Sequence, residues 1–342
     1  VIGGQFLINA IVPIKPGGLG APQSSGSPTY DVALSGNAAR LEQPIPVIYG
    51  RHIVYPAFAA QPYTEFDSNN DAYYSALMCI GMGEYVIEQI MIDDTPIDHF
   101  DDVTYAVRAP GVAPTLVSAK VVSAPEVSGQ TLLSGRYVGG FAASGPKLPV
   151  NQISIDILCP RGLGLFDASG VIGSKSLTWR VETREVSDYG APLAAWTTLA
   201  SETLTQATAT PVRRSYSYTV SPAKRVEVRM VRTDVFDSNQ RALHELAWAG
   251  MRGRLNAAAP LNANATHLEV KIRASEQLSA ATQNQFALVV QRLLRVWNPD
   301  TGWTDPVDEV STRNPFYALM DSWTNTDYVT DALPDERVDL ET

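Results

Sequence analysis

The chain has 342 residues, is 45% hydrophobic and 18% charged, and carries 26 Lys and Arg against 36 Asp and Glu, a formal charge of −10. At roughly 100–200 residues per domain this length implies two or three domains, and the composition excludes disorder over most of it. The acidic balance, with no basic cluster anywhere along the chain, excludes nucleic-acid binding by phosphate neutralisation; DNA passing nearby would be repelled and slide rather than be held.

In chain order, Val1 to Val12 is apolar and contains glycine, but about 12 residues cannot span a bilayer, where roughly 20 are needed. It reads as the end of a longer apolar segment. A signal peptide is the competing reading, set against the lack of a basic leader and a run into Pro/Gly residues instead of a cleavage site. Pro13 to Pro28 is a linker, because its prolines and glycines prevent any periodic element. After Tyr30 come short apolar runs separated by turn residues, the pattern of an all-β region. Ile45-Pro46-Val47-Ile48-Tyr49 is bounded by Pro and Gly50. Ala72 to Ile80 and Tyr85 to Ile92 flank Gly81-Met82-Gly83, and Asp93 to Pro96 leads to a returning strand, so both turns are expected to close hairpins.

Ile153, Ile155 and Ile157 occupy every second position, as do Leu177, Trp179 and Val181. Val226, Val228 and Met230 interleave with Arg225, Glu227 and Arg229, after Tyr216, Tyr218 and Val220 on a neighbouring strand. Such alternation puts one face in a core and the other toward solvent, and predicts a β-sandwich from Gln152 to about Val231, about a hundred residues or fewer. Asp234 to Gln240 is a loop; His244 to Leu255 and Leu268 to Ile272 resume the strand pattern. The period then changes. Ser275 is an N-cap candidate, and Leu278, Phe286, Val289, Val290, Leu293 and Leu294 supply the stripe of a helix ending near Trp297. Asn298 to Trp303 is a tight hairpin turn between two tryptophans, and a second helix is expected from about Asn314 to Thr324, with Pro315 in its first turn.

Chemical motifs fail one by one. Cys79 and Cys159 sit in apolar strand-like runs and read as core hydrophobes; there is no CxxC pair, and scattered histidines build no zinc site by proximity. Asp67-Ser-Asn-Asn-Asp71 starts like a calcium loop but has Ala72 at the sixth place and Met78 at the twelfth, so it reads as a solvated hairpin loop. Asp93, Asp94, Asp98, His99, Asp101 and Asp102 form a denser acidic group; a divalent ion or a paired-carboxylate site there is the alternative to a turn of solvated carboxylates, which the hairpin pattern favours. His244-Glu245 lacks its second histidine, replaced by Trp248, and Gly162-Leu-Gly164 lacks the third glycine of a dinucleotide fingerprint. No catalytic, cofactor-binding or metal residue is therefore assigned, no cofactor is expected, and the chain reads as non-enzymatic. Trp179, Trp196, Trp248, Trp297, Trp303 and Trp323 could build a carbohydrate platform, though most lie on apolar phases and read as core. That motivates an alternative function, a secreted β-sandwich carbohydrate-binding or adhesion module. A third, a cell-wall hydrolase, would use carboxylates such as Asp93 and Asp98.

Three stretches carry a resemblance. Leu41-Glu-Gln-Pro-Ile-Pro-Val-Ile-Tyr-Gly-Arg51 is similar to a Gly-Gln-Pro-Ile-Pro-Val-Ile-Tyr-Gly-Arg signature of bacteriophage tail-tip, or host-specificity J-type, proteins. Gly83 to Ile97 resembles that family's early hub strand pair. Asn314 to Tyr328, followed by Leu333 to Leu340, resembles a segment whose helix docks its apolar face on the hub. The departures are Glu42, where the family often has Gly, and Val329 after Tyr328, where Gly is frequent. The resemblance spans most of Ser27 to Leu340, with about Gln152 to His244 the most variable part. It implies a mainly β, multi-domain β-barrel/β-sandwich tail hub with an inserted β-sandwich and a few short C-terminal helices. Residues 1–30 would be the apolar segment and linker, 31–150 a first hub β-domain completed by strands in 243–274, 151–242 the inserted sandwich, and 275–342 a helical connection toward a further hub domain. It also implies a structural virion protein at the tip of a long non-contractile tail: a homotrimer that closes the tube and links it to receptor-binding parts for host attachment and DNA ejection. Its partners would be distal tail and tail-tip proteins and the tape-measure protein in the lumen, with phage DNA passing unbound and any host cell-envelope contact made through other regions.

Overall fold

The computed structural model of the chain describes residues 37–40, 43–256, 261–275, 278, 285–304 and 309–334. The apolar segment 1–12, the linker 13–28 and the stretch 335–340 lie outside the described residues. Residues 37–63, 74–119 and 261–334 form one compact unit, and 64–73 with 120–256 form another.

The chain begins with β1 (Arg51–Val54), β2 (Ala57–Phe58), β3 (Tyr63–Phe66), β4 (Ala72–Met82), β5 (Tyr85–Ile92), β6 (Thr95–Pro96) and β7 (Val103–Arg108). The sandwich unit follows with β8 (Val121–Ser123), β9 (Gln130–Thr131), β10 (Tyr137–Ala142), β11 (Val150–Cys159), β12 (Gly164–Phe166) and β13 (Ile172–Gly173). It continues through β14 (Lys175–Glu185), β15 (Thr197–Gln206), β16 (Val212–Lys224), β17 (Val226–Arg232), β18 (Ala242–Leu243) and β19 (Ala247–Leu255). The chain then returns to the first unit as β20 (Ala265–Arg273), β21 (Phe286–Leu294), β22 (Trp297–Asn298), β23 (Gly302–Trp303), β24 (Val310–Ser311) and helix α1 (Pro315–Thr324).

The sandwich unit has two principal antiparallel sheets, ordered β10-β17-β14-β15 and β16-β11-β19-β8. Its core is made by the alternating positions read from sequence: Ile153, Ile155, Leu177, Trp179, Val181, Val226, Val228 and Met230 are all fully buried. A strand's period of two turns these residues inward and their neighbours outward. On the outward face of β11, Asp156 and Arg252 form a buried ion pair, with Arg252 Nη2 2.7 Å from Asp156 Oδ1. Ser215 Oγ donates to Asp156 Oδ1 at 2.5 Å and accepts from Phe66 N at 2.8 Å. Phe66 belongs to the tip of the β3–β4 hairpin, residues 64–73, which groups with the sandwich unit although the chain on either side does not. Asn70 fastens the same tip, its Nδ2 donating to Pro211 O at 3.0 Å and its Oδ1 accepting from Arg213 N at 2.6 Å.

The other unit holds the sheets β1-β21-β5-β6 and β2-β4-β20-β7, with β24 on β21 and β3 on β4. Among the described residues no sheet closes into a barrel, and α1 is the one α-helix. Asn314 caps it, with Oδ1 accepting from Phe316 N at 3.0 Å, and Pro315 stands at its first position, where a missing N–H costs nothing. Glu269, fully buried in β20, pairs with Arg108 and accepts from Leu116 N at 2.6 Å and Val117 N at 2.7 Å, which satisfies an otherwise costly buried charge.

Two expectations need correction. The helix read through Phe286, Val289, Val290, Leu293 and Leu294 is the strand β21. It is buried on both faces, so polar alternation is lost and the apolar run fits either period. Ala72–Ile80 and Tyr85–Ile92 do not form a hairpin: β4 lies beside β20, β5 beside β21, and the chain changes sheets at Gly83. The Asp93–Pro96 turn does return, Met91 facing Pro96, and Trp297 pairs with Trp303 as read.

Ile155→Ala removes a side chain that is 0% exposed between the two sandwich sheets, and is expected to destabilise the unit by about 2–5 kcal/mol, seen as a lower midpoint in urea unfolding.

Candidate functional site

The three stretches that carry the resemblance meet at one buried arginine. Arg292, on β21, is 2% exposed. Its Nη1 donates to Met82 O, its Nη2 lies 3.3 Å from Asp321 Oδ2 on α1, and its guanidinium is 5.5 Å from the ring centre of Tyr49, 5.8 Å from Tyr85 and 5.4 Å from Tyr328. A buried guanidinium is tolerable only when paired and hydrogen-bonded, and aromatic faces add to its stabilisation.

The anion is held as firmly as the cation. The Tyr49 hydroxyl is 2.9 Å from Asp321 Oδ2 and 2.8 Å from the Tyr328 hydroxyl, which itself donates to Asp321 Oδ2. Asn325 Nδ2 donates to Asp321 Oδ1 at 2.9 Å. Tyr85 donates to Met82 O at 2.6 Å, and Ile48 N donates back to the Tyr85 hydroxyl at 3.3 Å. Gly83 is required beside this cluster: its φ is +84°, and a Cβ there would lie 2.5 Å from the Arg292 Nη atoms.

Burial pulls the Arg292 pKa down, but the charge of Asp321 and the neighbouring tyrosines outweigh it and the net movement is upward. Burial raises Tyr49 to about 12 against the Tyr328 hydrogen bond, with the Asp321 charge adding to the rise, and Tyr328 is raised by burial and by its bond to Asp321. Glu309, just before β24, is pushed up to about 7, by burial first; Asp321 and Glu84 add to this and Arg292 opposes it. The tyrosines thus stay neutral donors while Glu309 titrates near neutrality. The cluster is a clamp, joining the prolyl segment, the β4–β5 crossover and α1.

Α1 is held on its inner side by Asp321 and by Met320, which is buried. Its other side is open: Phe316 is 41% exposed, Leu319 47% and Trp323 48%. These positions recur at i, i+3 and i+7 and so form one stripe.

On the sandwich, the outward face of β10-β17-β14 carries a charge-paired ladder. Arg184 faces Glu227 and Glu182 faces Arg229 across the β14–β17 register. Arg184 Nη2 is 2.8 Å from Glu227 Oε2, Arg229 Nη2 is 2.6 Å from Glu182 Oε2, and Arg180 Nε is 2.7 Å from Glu182 Oε1. Arg229 stacks 4.0 Å from the Tyr137 ring centre and 4.3 Å from Trp196, which Arg184 also meets at 4.5 Å. Opposite charges across a strand pair stabilise a sheet.

The residues singled out from sequence are dispersed. Asp67 accepts from Asn69 N and Asp71 N as a local turn cap. Asp93 accepts from Gln285 N, Asp98 from Tyr105, and Asp102 pairs with Arg273. His244 packs on Phe236, and Glu245 pairs with Arg161. The tryptophans do not share one platform. Trp179 and Trp248 are core, Trp297 and Trp303 pack edge to face at 5.7 Å, and Trp196 is engaged by arginines. Cys159 is buried in the sandwich core, and its thiol is pushed up to about 12 by burial.

The two-sheet unit is of the fibronectin type III kind: residues 144–257 match the family model of the tip attachment protein J, FNIII-A domain. The match supports a phage tail-tip J-like family, whose tip attachment protein is a component of the virion tail tip. That family is structural and implies contact with other tail proteins. No curated protein matches the sequence. Among solved structures the chain is similar to the T13 particle of infectious bursal disease virus, at 9% identity and a TM-score of 0.24 over 75% of this chain and 80% of that one. It is also similar to the stem and receptor-binding domain of spike protein P1 from bacteriophage PM2, at 11% identity and a TM-score of 0.23 over 74% and 100%. Likeness at this level says nothing further about the chain.

Arg292→Met leaves Asp321 buried without its cation and is expected to destabilise the unit by about 3–5 kcal/mol, read as a lowered midpoint in chemical unfolding. Glu309 has a folded pKa above its ordinary 4.5, so its proton stabilises the folded state and the advantage drains away as pH rises from about 4.5 to 7. Glu309→Gln should match the native melting temperature at pH 4.5 and exceed it progressively toward pH 7.5, as measured by thermal melts across that range.

Proposed function

We propose that this chain is the hub part of a phage tail tip: a structural homotrimer that continues and closes the tail tube, contacts the tape-measure protein in its lumen, lets DNA pass at ejection and links the tube to receptor-binding parts. It performs no catalysis. The FNIII-A match over residues 144–257 is the observation that carries this reading. The convergence of all three resembling stretches on Arg292 supports it, because residues 49, 85, 321 and 328 then have one shared structural reason to be what they are. The formal charge of −10 suits a wall past which DNA slides rather than a surface that grips it. We place the first hub domain on the unit of residues 37–63, 74–119 and 261–334, and the inserted sandwich on 64–73 with 120–256, wider than the 151–242 read from sequence because β8, β10 and β19 pair within it.

Native mass spectrometry and negative-stain electron microscopy of the 342-residue chain test the assembly. A three-fold ring is expected; a chain that stays monomeric at every concentration tried would refute the hub reading.

A further inference from the structure

The unit that bears α1 also bears a trough of about 630 Å³. It is lined by the extended prolyl segment with Pro44, Pro46 and Ile48, by Ile53 of β1 and Tyr55 just after it, and by Cys79. Pro46 O accepts from Met82 N at 2.9 Å, which fixes the prolyl segment. Ile53 is 60% exposed and Tyr55 50%, so the trough offers apolar surface to something outside it.

Among the described residues lining it Arg40 carries a charge and none is a carboxylate; His267 also lines it, but burial lowers its pKa and keeps it neutral. The segment from Asn314 to Glu336 has the opposite character, with no Lys or Arg. Around the stripe of Phe316, Leu319 and Trp323, Asp327 and Asp331 are exposed, and the C-terminal end of α1 adds its own partial negative charge. The stripe spans about 10 Å along the helix axis. A trough of this volume lies in the range of about 300–1,000 Å³ that buries an apolar ligand. An apolar ridge flanked by Asp327 and Asp331 and an apolar trough whose described lining carries the cation Arg40 are therefore present on the same chain.

We infer that the exposed stripe of α1 seats in the trough of a second copy of this chain. Two different surfaces of one chain then meet, a heterologous contact that generates a ring where the rotation closes. The arginine clamp gives the contact its rigidity, since α1 is locked from behind by Asp321 and Tyr328 before it meets a neighbour. The inference rests on the proposed oligomeric hub and names the surfaces that join it.

The native thiol in the trough provides the test. Cys79 is partly exposed, and the other cysteine, Cys159, is buried in the sandwich. Phe316→Cys, Leu319→Cys and Trp323→Cys variants of the full chain are oxidised with copper phenanthroline and run on non-reducing gels. At least one should form a disulfide between copies that disappears when Cys79→Ala is added. Trp323→Glu, at a half-exposed position and with its thermal melt matched to the native chain, should weaken association at least about tenfold in native mass spectra, as for an interfacial tryptophan anchor. If the chain forms its ring, yet no variant cross-links between copies and Trp323→Glu assembles like the native protein, this contact is refuted while the hub reading stands. A disulfide formed within one copy refutes the contact equally. A monomer under all conditions refutes both.

Discussion

One buried charge governs how the unit that bears α1 is put together. Arg292 is 2% exposed, so its removal from water is offset by the acceptors that meet its two Nη groups and by the surrounding rings, while its Nε is buried with no hydrogen-bond partner among the described residues. The acceptors come from far away in sequence: Met82 lies at the end of β4, Asp321 on α1, and Tyr49, Tyr85 and Tyr328 in three separate segments. Each of those segments is positioned by the same cation. A purely apolar contact would allow α1 to slide by a turn; a salt-bridged carboxylate surrounded by two tyrosine hydroxyls and Asn325 admits one register.

The sandwich shows a different economy. Its interior is apolar and made by strand alternation, while its polar networks lie on outward faces. Asp156 and Arg252 are sealed beneath the β3–β4 tip, and the Arg–Glu–aromatic ladder of β10, β14 and β17 faces out. Partial burial of Glu182 at 8% side-chain exposure within the ladder shows that long guanidinium groups cover their own partners. Such a face is already satisfied, which explains why aromatic residues there do not amount to an open sugar platform.

Legibility in the sequence followed burial geometry. Strands with one wet face, such as Val226–Arg232, announced themselves by strict alternation, and the cap of α1 was visible in Asn314-Pro315. Strands buried on both faces did not. Phe286–Leu294 reads apolar on either period, and its one decisive residue, Arg292, looks like an ordinary polar break in a helix. Its ion partner stands 29 positions later, too far for any local rule, and only the shared membership of Tyr49, Tyr85 and Tyr328 in resembling stretches hinted that they belong together. The Gly81-Met82-Gly83 turn misled for a related reason: glycine marks a change of direction, but whether the next strand pairs back or crosses to another sheet is decided by long-range packing.

The order of strands in the sheet β16-β11-β19-β8 sets a timetable for synthesis. Strand β11 is flanked on one side by β16 and on the other by β19, whose last residue is Leu255. While the chain emerges from the ribosome, the nascent layer therefore keeps an unzipped border, with Ile153, Ile155 and Ile157 already committed to it, until some hundred residues more have been translated. The latecomer strand also completes the bed for Asp156 through Arg252, so maturation of this layer ends with the arrival of a charge.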